Sequence, residues 1–287
     1  MEKVGIQRIP LKKQAQNFNG NFIQNESQNL QAFVDYDEEH IKRLCKGVDN
    51  LDRYSDIKAY DHNRIIINNE KKYINASPIN IISDKYFIST QGPKKETIED
   101  FWRMIDEHKC NIIIMLCKEF EGGREKCARY WDYNIKMENY TIMLKNEENK
   151  DQYIIRDILL RNKNNQERII KQIHYTGWPD HGVPDIQNGK VFDVFSEIIE
   201  KTDQYKGDGP IVVHCSAGVG RTGTYISMYY LEKEIKKQIK DKTEEIKFSI
   251  FNLVRKLKEM RLYLVQTCEQ YLFIYQFAYY LLMKYNI

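Results

Sequence analysis

The chain is poor in the features that mark several large classes of protein. Its 287 residues hold six cysteines, Cys45, Cys110, Cys117, Cys127, Cys215 and Cys268, with no Cys-x-x-Cys pair and no zinc-type spacing. Neither a disulfide scaffold nor a zinc module is therefore expected. The opening residues lack the apolar core of a secretory signal. The most apolar stretch, residues 271–283, is too short to span a membrane and carries Gln276, so it reads as a buried C-terminal helix. Charge of one sign is not in excess either: 44 Lys+Arg against 41 Asp+Glu leave +3, without the strongly basic balance of a bulk nucleic-acid binder. No internal repeat or low-complexity linker divides the chain. These absences imply free thiols in a reducing, cytoplasmic compartment, no nucleic-acid partner and no membrane segment.

What remains is apolar material amounting to 42% of residues, enough for a sizeable core in one large or two small domains. Residues 14–31, rich in Asn and Gln, read as an arm or the entry to a first helix, and residues 30–44 have helical apolar spacing with Asp35, Asp37, Glu38 and Glu39 among them. Short strands are expected at 71–76, 86–90 and 111–116, and helices at 95–106 and 186–202. Residues 139–175 contain three β-like runs between polar turns, which suggests an antiparallel meander. A buried strand at 211–214 runs into a Gly-rich turn, and three helical stretches follow. The sum is one α/β, or α+β, domain with a mixed sheet.

The turn after that strand is the most informative part of the chain. His214 and Cys215 are followed by Ser216, Ala217, Gly218, Val219, Gly220, Arg221 and Thr222. Glycines allow a tight turn that points successive N–H groups inward, and a helix N-terminus adds partial positive charge, so the segment forms a cradle for a tetrahedral dianion. The same donors favour the thiolate of Cys215, the form that attacks phosphorus. The Arg221 guanidinium has the planar fork to hold two phosphate oxygens. The Thr222 hydroxyl is placed to donate to the departing thiolate. An inert cysteine at a strand end is the plainer alternative, but it leaves the two glycines, the arginine and the threonine at their offsets unexplained. Transfer from a phenol also needs a proton for the leaving oxygen. Asp180 is the candidate acid, in a segment where Trp178 can anchor a loop and Pro179, Gly182 and Pro184 restrict it, so that it closes as a lid. An ordinary Pro-Asp turn accounts for the same residues.

Read together, the two segments resemble the tyrosine-specific protein phosphatases of the cysteine-dependent superfamily. The His-Cys-x5-Arg-Thr signature stands at His214 to Thr222 and the Trp-Pro-Asp loop at Trp178 to Asp180. Arg53, Tyr54, Ser55 and Asp56 match the phosphotyrosine-recognition loop, and Glu121 to Trp131 the Glu-containing loop. Val265 to Gln270 match the glutamine loop. The resemblance covers residues 30–283. It implies a single domain with a highly twisted mixed sheet flanked by helices, the phosphate loop lying between a central strand and a helix. A division follows, into an N-terminal arm (1–28) and a catalytic domain (29–287).

The resemblance also implies roles. Cys215 forms a phosphocysteine, and Asp180 serves as acid and then base. Gln266 positions the attacking water with help from Gln270. Tyr54 stacks on the substrate ring and sets the pocket depth, and Asp56 binds the substrate backbone. Glu121 holds Arg221, Lys126 contacts Asp180 in the closed lid, and His214 supports the thiolate electrostatically. No cofactor and no metal are implied. The partners are phosphotyrosine-containing proteins, and the chain is expected to be a monomer. A phosphotyrosine-binding pseudophosphatase and a dual-specificity phosphatase are the alternatives. The first usually lacks the Cys, the Asp or the Arg, and the second lacks the loop at Arg53 and Tyr54. The chain departs from the family pattern at Asp52, where Asn is usual and a local turn hydrogen bond changes. It departs also at Asp132, where Pro is usual, and at Cys268, a thiol in the glutamine loop that, if near Cys215, pairs with it on oxidation.

Overall fold

The computed structural model describes residues 20–35, 44–48, 50–68, 72–82, 85–186 and 190–287. An eight-stranded mixed sheet runs through it in the order β1-β2-β10-β3-β9-β8-β7-β6. The strands are β1 (Ala76–Ile82), β2 (Lys85–Thr90), β3 (Ile112–Met115), β6 (Ile135–Lys136), β7 (Tyr140–Asn149), β8 (Tyr153–Asn162), β9 (Glu167–Tyr175) and β10 (Ile211–His214). A two-residue hairpin, β4 (Phe120–Glu121) with β5 (Arg124–Glu125), stands apart from it. The helices are α1 (Gly20–Asp35), α2 (Ile98–Glu107), α3 (Lys190–Tyr205), α4 (Gly220–Lys240), α5 (Ile250–Met260) and α6 (Cys268–Lys284).

β10 is the strand that matters for function. It lies between β2 and β3, parallel to both. All four of its residues are buried, which fits its unbroken apolar run Ile211, Val212, Val213: a strand covered on both faces does not alternate. β7, β8 and β9 form the antiparallel meander read from the sequence, joined to the rest by parallel pairing of β9 with β3. Helices flank the sheet. α2 buries Phe101, Trp102, Met104 and Ile105 and is tied down by Trp102 Nε1 donating to the Tyr130 carbonyl at 2.9 Å. α6 buries Phe273 and Phe277 against Phe192 of α3, and is the C-terminal helix expected at 271–283. Among the described residues, no helix is long and apolar enough to cross a membrane.

Two expected boundaries differ. Of the strand anticipated at 71–76, residue 71 lies outside the described residues, and the ladder starts at Ala76 and runs to Ile82; Tyr73 and Asn75 turn their side chains to Asp52. α3 occupies Lys190–Tyr205 rather than 186–202, and residues 187–189 lie outside the described residues. Among the described residues the first helix is Gly20–Asp35, which takes in part of the segment read as an arm or helix entry at 14–31 and the start of the helix expected at 30–44; residues 36–43, with Asp37, Glu38 and Glu39, lie outside the described residues. α1 runs across the division drawn at residues 28 and 29. Its Ile23 and Leu30 enter a second apolar cluster with Val254 of α5 and Ile274 of α6, and its Glu26 accepts hydrogen bonds from Tyr271 and Tyr275.

Candidate active site

Between β10 and α4 the chain folds as a loop whose carbonyls are all turned away from one centre. The Cys215 carbonyl accepts from His214 Nδ1 at 3.0 Å and the Ser216 carbonyl from Gly92 N at 2.9 Å. The Ala217 carbonyl accepts from Arg261 at 3.2 Å, and the Gly218 carbonyl from both Arg261 Nε at 3.0 Å and Ser89 Oγ at 2.8 Å. With four carbonyls held outward, the intervening N–H groups face inward. Gly218 makes this possible: its φ is +70°, and a Cβ there would lie 2.1 Å from the Thr90 carbonyl oxygen. α4 then starts with Val219 as its cap residue, which supplies no side-chain acceptor, so the first helical N–H groups add to the cradle.

A cavity of about 270 Å³ opens on this loop. Cys215, Ser216, Ala217, Gly220 and Arg221 line it from the loop itself. Tyr54, Asp56, Glu121 and Lys126 line it from other segments, as do Gln266 and Gln270. Segments up to 216 residues apart in sequence (Tyr54 and Gln270) thus share one wall. Tyr54 is fixed there by its hydroxyl, 2.9 Å from Ser216 Oγ, which in turn donates to the Lys126 carbonyl at 3.0 Å. The recognition loop is pinned by Arg53, whose guanidinium donates to the carbonyls of Gly92, Pro93 and Glu125. Gln270 works twice: its Oε1 accepts from Gln266 N at 2.9 Å and from Thr267 N at 3.3 Å, capping α6 and shaping the glutamine loop.

Arg221 is held by two parallel bonds to Glu121, at 2.6 and 2.8 Å. Burial opposes its charge, but the Glu121 hydrogen bond and the electrostatic interactions with Cys215 and Glu121 outweigh it and keep its proton affinity above the ordinary value. Arg221 also donates to the Pro179 carbonyl at 3.1 Å and lies 5.8 Å from the Trp178 ring, so the Trp-Pro-Asp loop is drawn toward the cavity. Trp178 is buried against Phe195 and Phe273 and donates to the Gly182 carbonyl at 3.1 Å, closing the loop on itself.

Not every expected residue reaches the cavity wall. Asp180 is exposed and sits beside the β4–β5 hairpin, where a Cβ on Gly122 would lie 3.7 Å from its Oδ2. Val219 and Thr222 are fully buried behind the loop, and the Thr222 hydroxyl has no hydrogen-bond partner among the described residues. Cys268 opens α6 and does not line the cavity.

His214 is fully buried, and burial pushes its imidazole down to about 4, so the ring is neutral at neutral pH. Because a carbonyl only accepts, Nδ1 carries the proton donated to Cys215 O; the Tyr130 hydroxyl, 2.8 Å away, then donates to Nε2. His174 is likewise pushed down to about 4 by burial and by Arg156. Both rings have folded values below the ordinary 6.5, so the unfolded chain takes up protons first. The stability they contribute is present above about pH 6.5 and is lost as pH falls toward about 4. Denaturant midpoints measured across that window should therefore fall steadily, and His174→Gln should flatten the slope.

Two supporting residues escaped the sequence reading. Tyr130 orients His214, and Arg261 carries the Ala217 and Gly218 carbonyls. Each looks in sequence like an ordinary core tyrosine or a helix-end arginine. The one available signal was that Arg261 lies five residues before Gln266.

With the geometry assembled, comparison with known proteins places the chain. The family model for the protein-tyrosine phosphatases matches residues 49–280, and the chain belongs to that family. It is 35% identical over 232 residues to the rat tyrosine-protein phosphatase non-receptor type 20, covering 78% of this chain and 52% of that protein. It is 40% identical over 233 residues to the human receptor-type tyrosine-protein phosphatase alpha, covering 78% of this chain and 28% of that protein. The chain thus spans about half, or less, of the curated relatives it matches. The structure of PTPN18 in complex with HER2-pY1196 phosphopeptides superposes with a TM-score of 0.84 at 28% identity, over 96% of this chain and 98% of that one.

Proposed function

We propose that this chain hydrolyses phosphotyrosine in proteins. One observation carries the reading: a cysteine and a carboxylate-held arginine share a cavity with a tyrosine wall. The Cys215 thiolate attacks phosphorus, and the bond to the tyrosine oxygen breaks. Arg221, aligned by Glu121, spans the equatorial oxygens, and the loop N–H groups take up the charge that develops on them. Asp180 gives its proton to the leaving phenolate. Water, positioned by Gln266 with Gln270, then attacks the phosphocysteine; Asp180 takes a proton from it, and inorganic phosphate leaves with the thiolate restored. Thr222 donates to that thiolate as it departs; its buried hydroxyl is not committed to any other partner among the described residues. Tyr54 stacks on the substrate ring, Asp56 binds the peptide backbone, and Lys126 meets Asp180 when the lid is shut. His214 acts by holding the Cys215 carbonyl with a neutral ring rather than by lending positive charge.

A monomer in a reducing, cytoplasmic compartment belongs to the same reading; all six cysteines are free, which supports the compartment. The test is an assay of a phosphotyrosine peptide against the same peptide carrying phosphoserine. Turnover is expected with the first alone, since the shorter side chain does not bring its phosphorus to Cys215 past Tyr54. An inactive protein with a free Cys215 thiol ends the enzyme reading and leaves the binding-only alternative.

A further inference from the structure

Behind the phosphate loop lies a second cation. Arg261 is 0% exposed. Among the described residues its hydrogen-bond acceptors are all uncharged: the carbonyls of Gly218 and Ala217, Asn75 Oδ1 at 2.7 Å and Ser77 Oγ at 3.3 Å. Burial pushes its guanidinium down to about 10, so it stays protonated at neutral pH. A cation buried without an adjacent carboxylate is unfavourable unless negative charge lies near it. Arg221 is in the opposite position, neutralised by its two bonds to Glu121. Lys126 also lines the cavity, but it is only half-buried and meets solvent. Arg261 is therefore the fully buried cation of this site whose charge no touching carboxylate cancels.

Its nearest buried carboxylate on the far side is Asp52, one residue before the recognition loop and 5% exposed. Asp52 accepts from Tyr73 Oη at 2.7 Å, from Asn75 Nδ2 at 2.8 Å and from Val48 N at 3.1 Å. Asn75 presents its amide nitrogen to Asp52 and its amide oxygen to Arg261. The result is an unbroken chain, Asp52 to Asn75 to Arg261 to the carbonyls of residues 217 and 218. It joins the recognition loop to the back of the phosphate loop.

We infer that Asp52 is a positioning residue of the phosphate loop: through Asn75 it sets how much of the Arg261 charge is left for the Cys215 sulfur and for a bound phosphoryl group. This rests on Cys215 being the nucleophile of the proposed reaction. A carboxylate at position 52 draws on the Arg261 charge, and a neutral amide leaves more of it for the sulfur. Other groups also face these sites. Arg221, Glu121, Lys126, Asp56 and Tyr54 face Cys215 from the cavity, and Cys117 and the neutral His214 from behind. Tyr73 and Cys45 adjoin Asp52 on one side, and on the other Lys94 binds its backbone carbonyl at 3.3 Å. These groups stay in place in the variant Asp52→Asn, which keeps one oxygen for Tyr73 and Asn75 and gives up only the acceptor that Val48 N uses.

The test is the rate of Cys215 alkylation by iodoacetamide from about pH 4 to about pH 8, with the modified peptide read by mass spectrometry. In Asp52→Asn the midpoint should move down by about half a pH unit, making reaction about threefold faster below it. Arg261→Gln should move it up by about one unit or more. Tyr73→Phe, which removes a hydrogen bond to Asp52 but leaves its charge, should stay with the wild type. No shift, or an upward shift, in Asp52→Asn overturns the inference. So does a Tyr73→Phe midpoint that follows Asp52→Asn, because hydrogen bonding and not charge would then be the cause. If Arg261→Gln does not fold, the other two variants decide. Alkylation needs no turnover, so a chain that binds without hydrolysing gives the same readout, and the two readings fail separately.

Discussion

Replacing Cys215 with serine is expected to lower turnover of a phosphotyrosine peptide by about 10⁵-fold or more, on the scale of removing an enzyme's nucleophile. The hydroxyl is a far weaker nucleophile than a thiolate, and no neighbouring side chain of the loop is set to deprotonate it. The phosphate cradle does not depend on the sulfur. Its inward N–H groups are fixed by the outward carbonyls of residues 215 to 218, and Arg221 by Glu121. Peptide affinity, measured by calorimetry on the inactive variant, should therefore be kept or improved, because the repulsion between thiolate and dianion is gone. Activity within about a hundredfold of wild type would mean that a different group attacks phosphorus.

Asp180→Ala is expected to slow hydrolysis of a phosphotyrosine peptide by about 10²- to 10⁴-fold, the usual contribution of a positioned acid. The loss should shrink for an aryl phosphate whose phenol is strongly acidic, since that leaving group departs without a proton. The decline in rate on the alkaline side, where a general acid loses its proton, should vanish in the variant. KM should not rise, because Asp180 does not line the cavity and the binding groups stay in place. An equal loss for both leaving groups would instead assign Asp180 to closing the loop, a role the Arg221 bond to the Pro179 carbonyl already serves.

Much of the site was legible because it is local. His214 to Thr222 is a single turn between a strand and a helix, and the residues that bend it and those proposed to attack and bind from it are all neighbours in the chain. β10 was equally plain, since a strand buried on both faces needs apolar residues at every position. The β7–β9 meander followed from alternation between polar turns. Tyr73 and Asn75 misled for the converse reason: their β-like setting gave no hint that both side chains are engaged with Asp52. α1 carries little apolar signal in its polar sequence, and it gains burial where Ile23 and Leu30 meet α5 and α6.

By itself, then, the sequence determined the proposed nucleophile, its glycine turn, its arginine and the loop that carries the proposed acid, since each is defined by residues within one short segment. Only the tertiary structure decided which charges in that site are cancelled and which are not. Arg221 and Glu121 stand a hundred residues apart and neutralise each other. Arg261 and Asp52 are more distant in sequence, and an amide separates them in space. Electrostatics depends on distance and burial, which the order of residues along a chain does not contain until the sheet and helices bring those residues together.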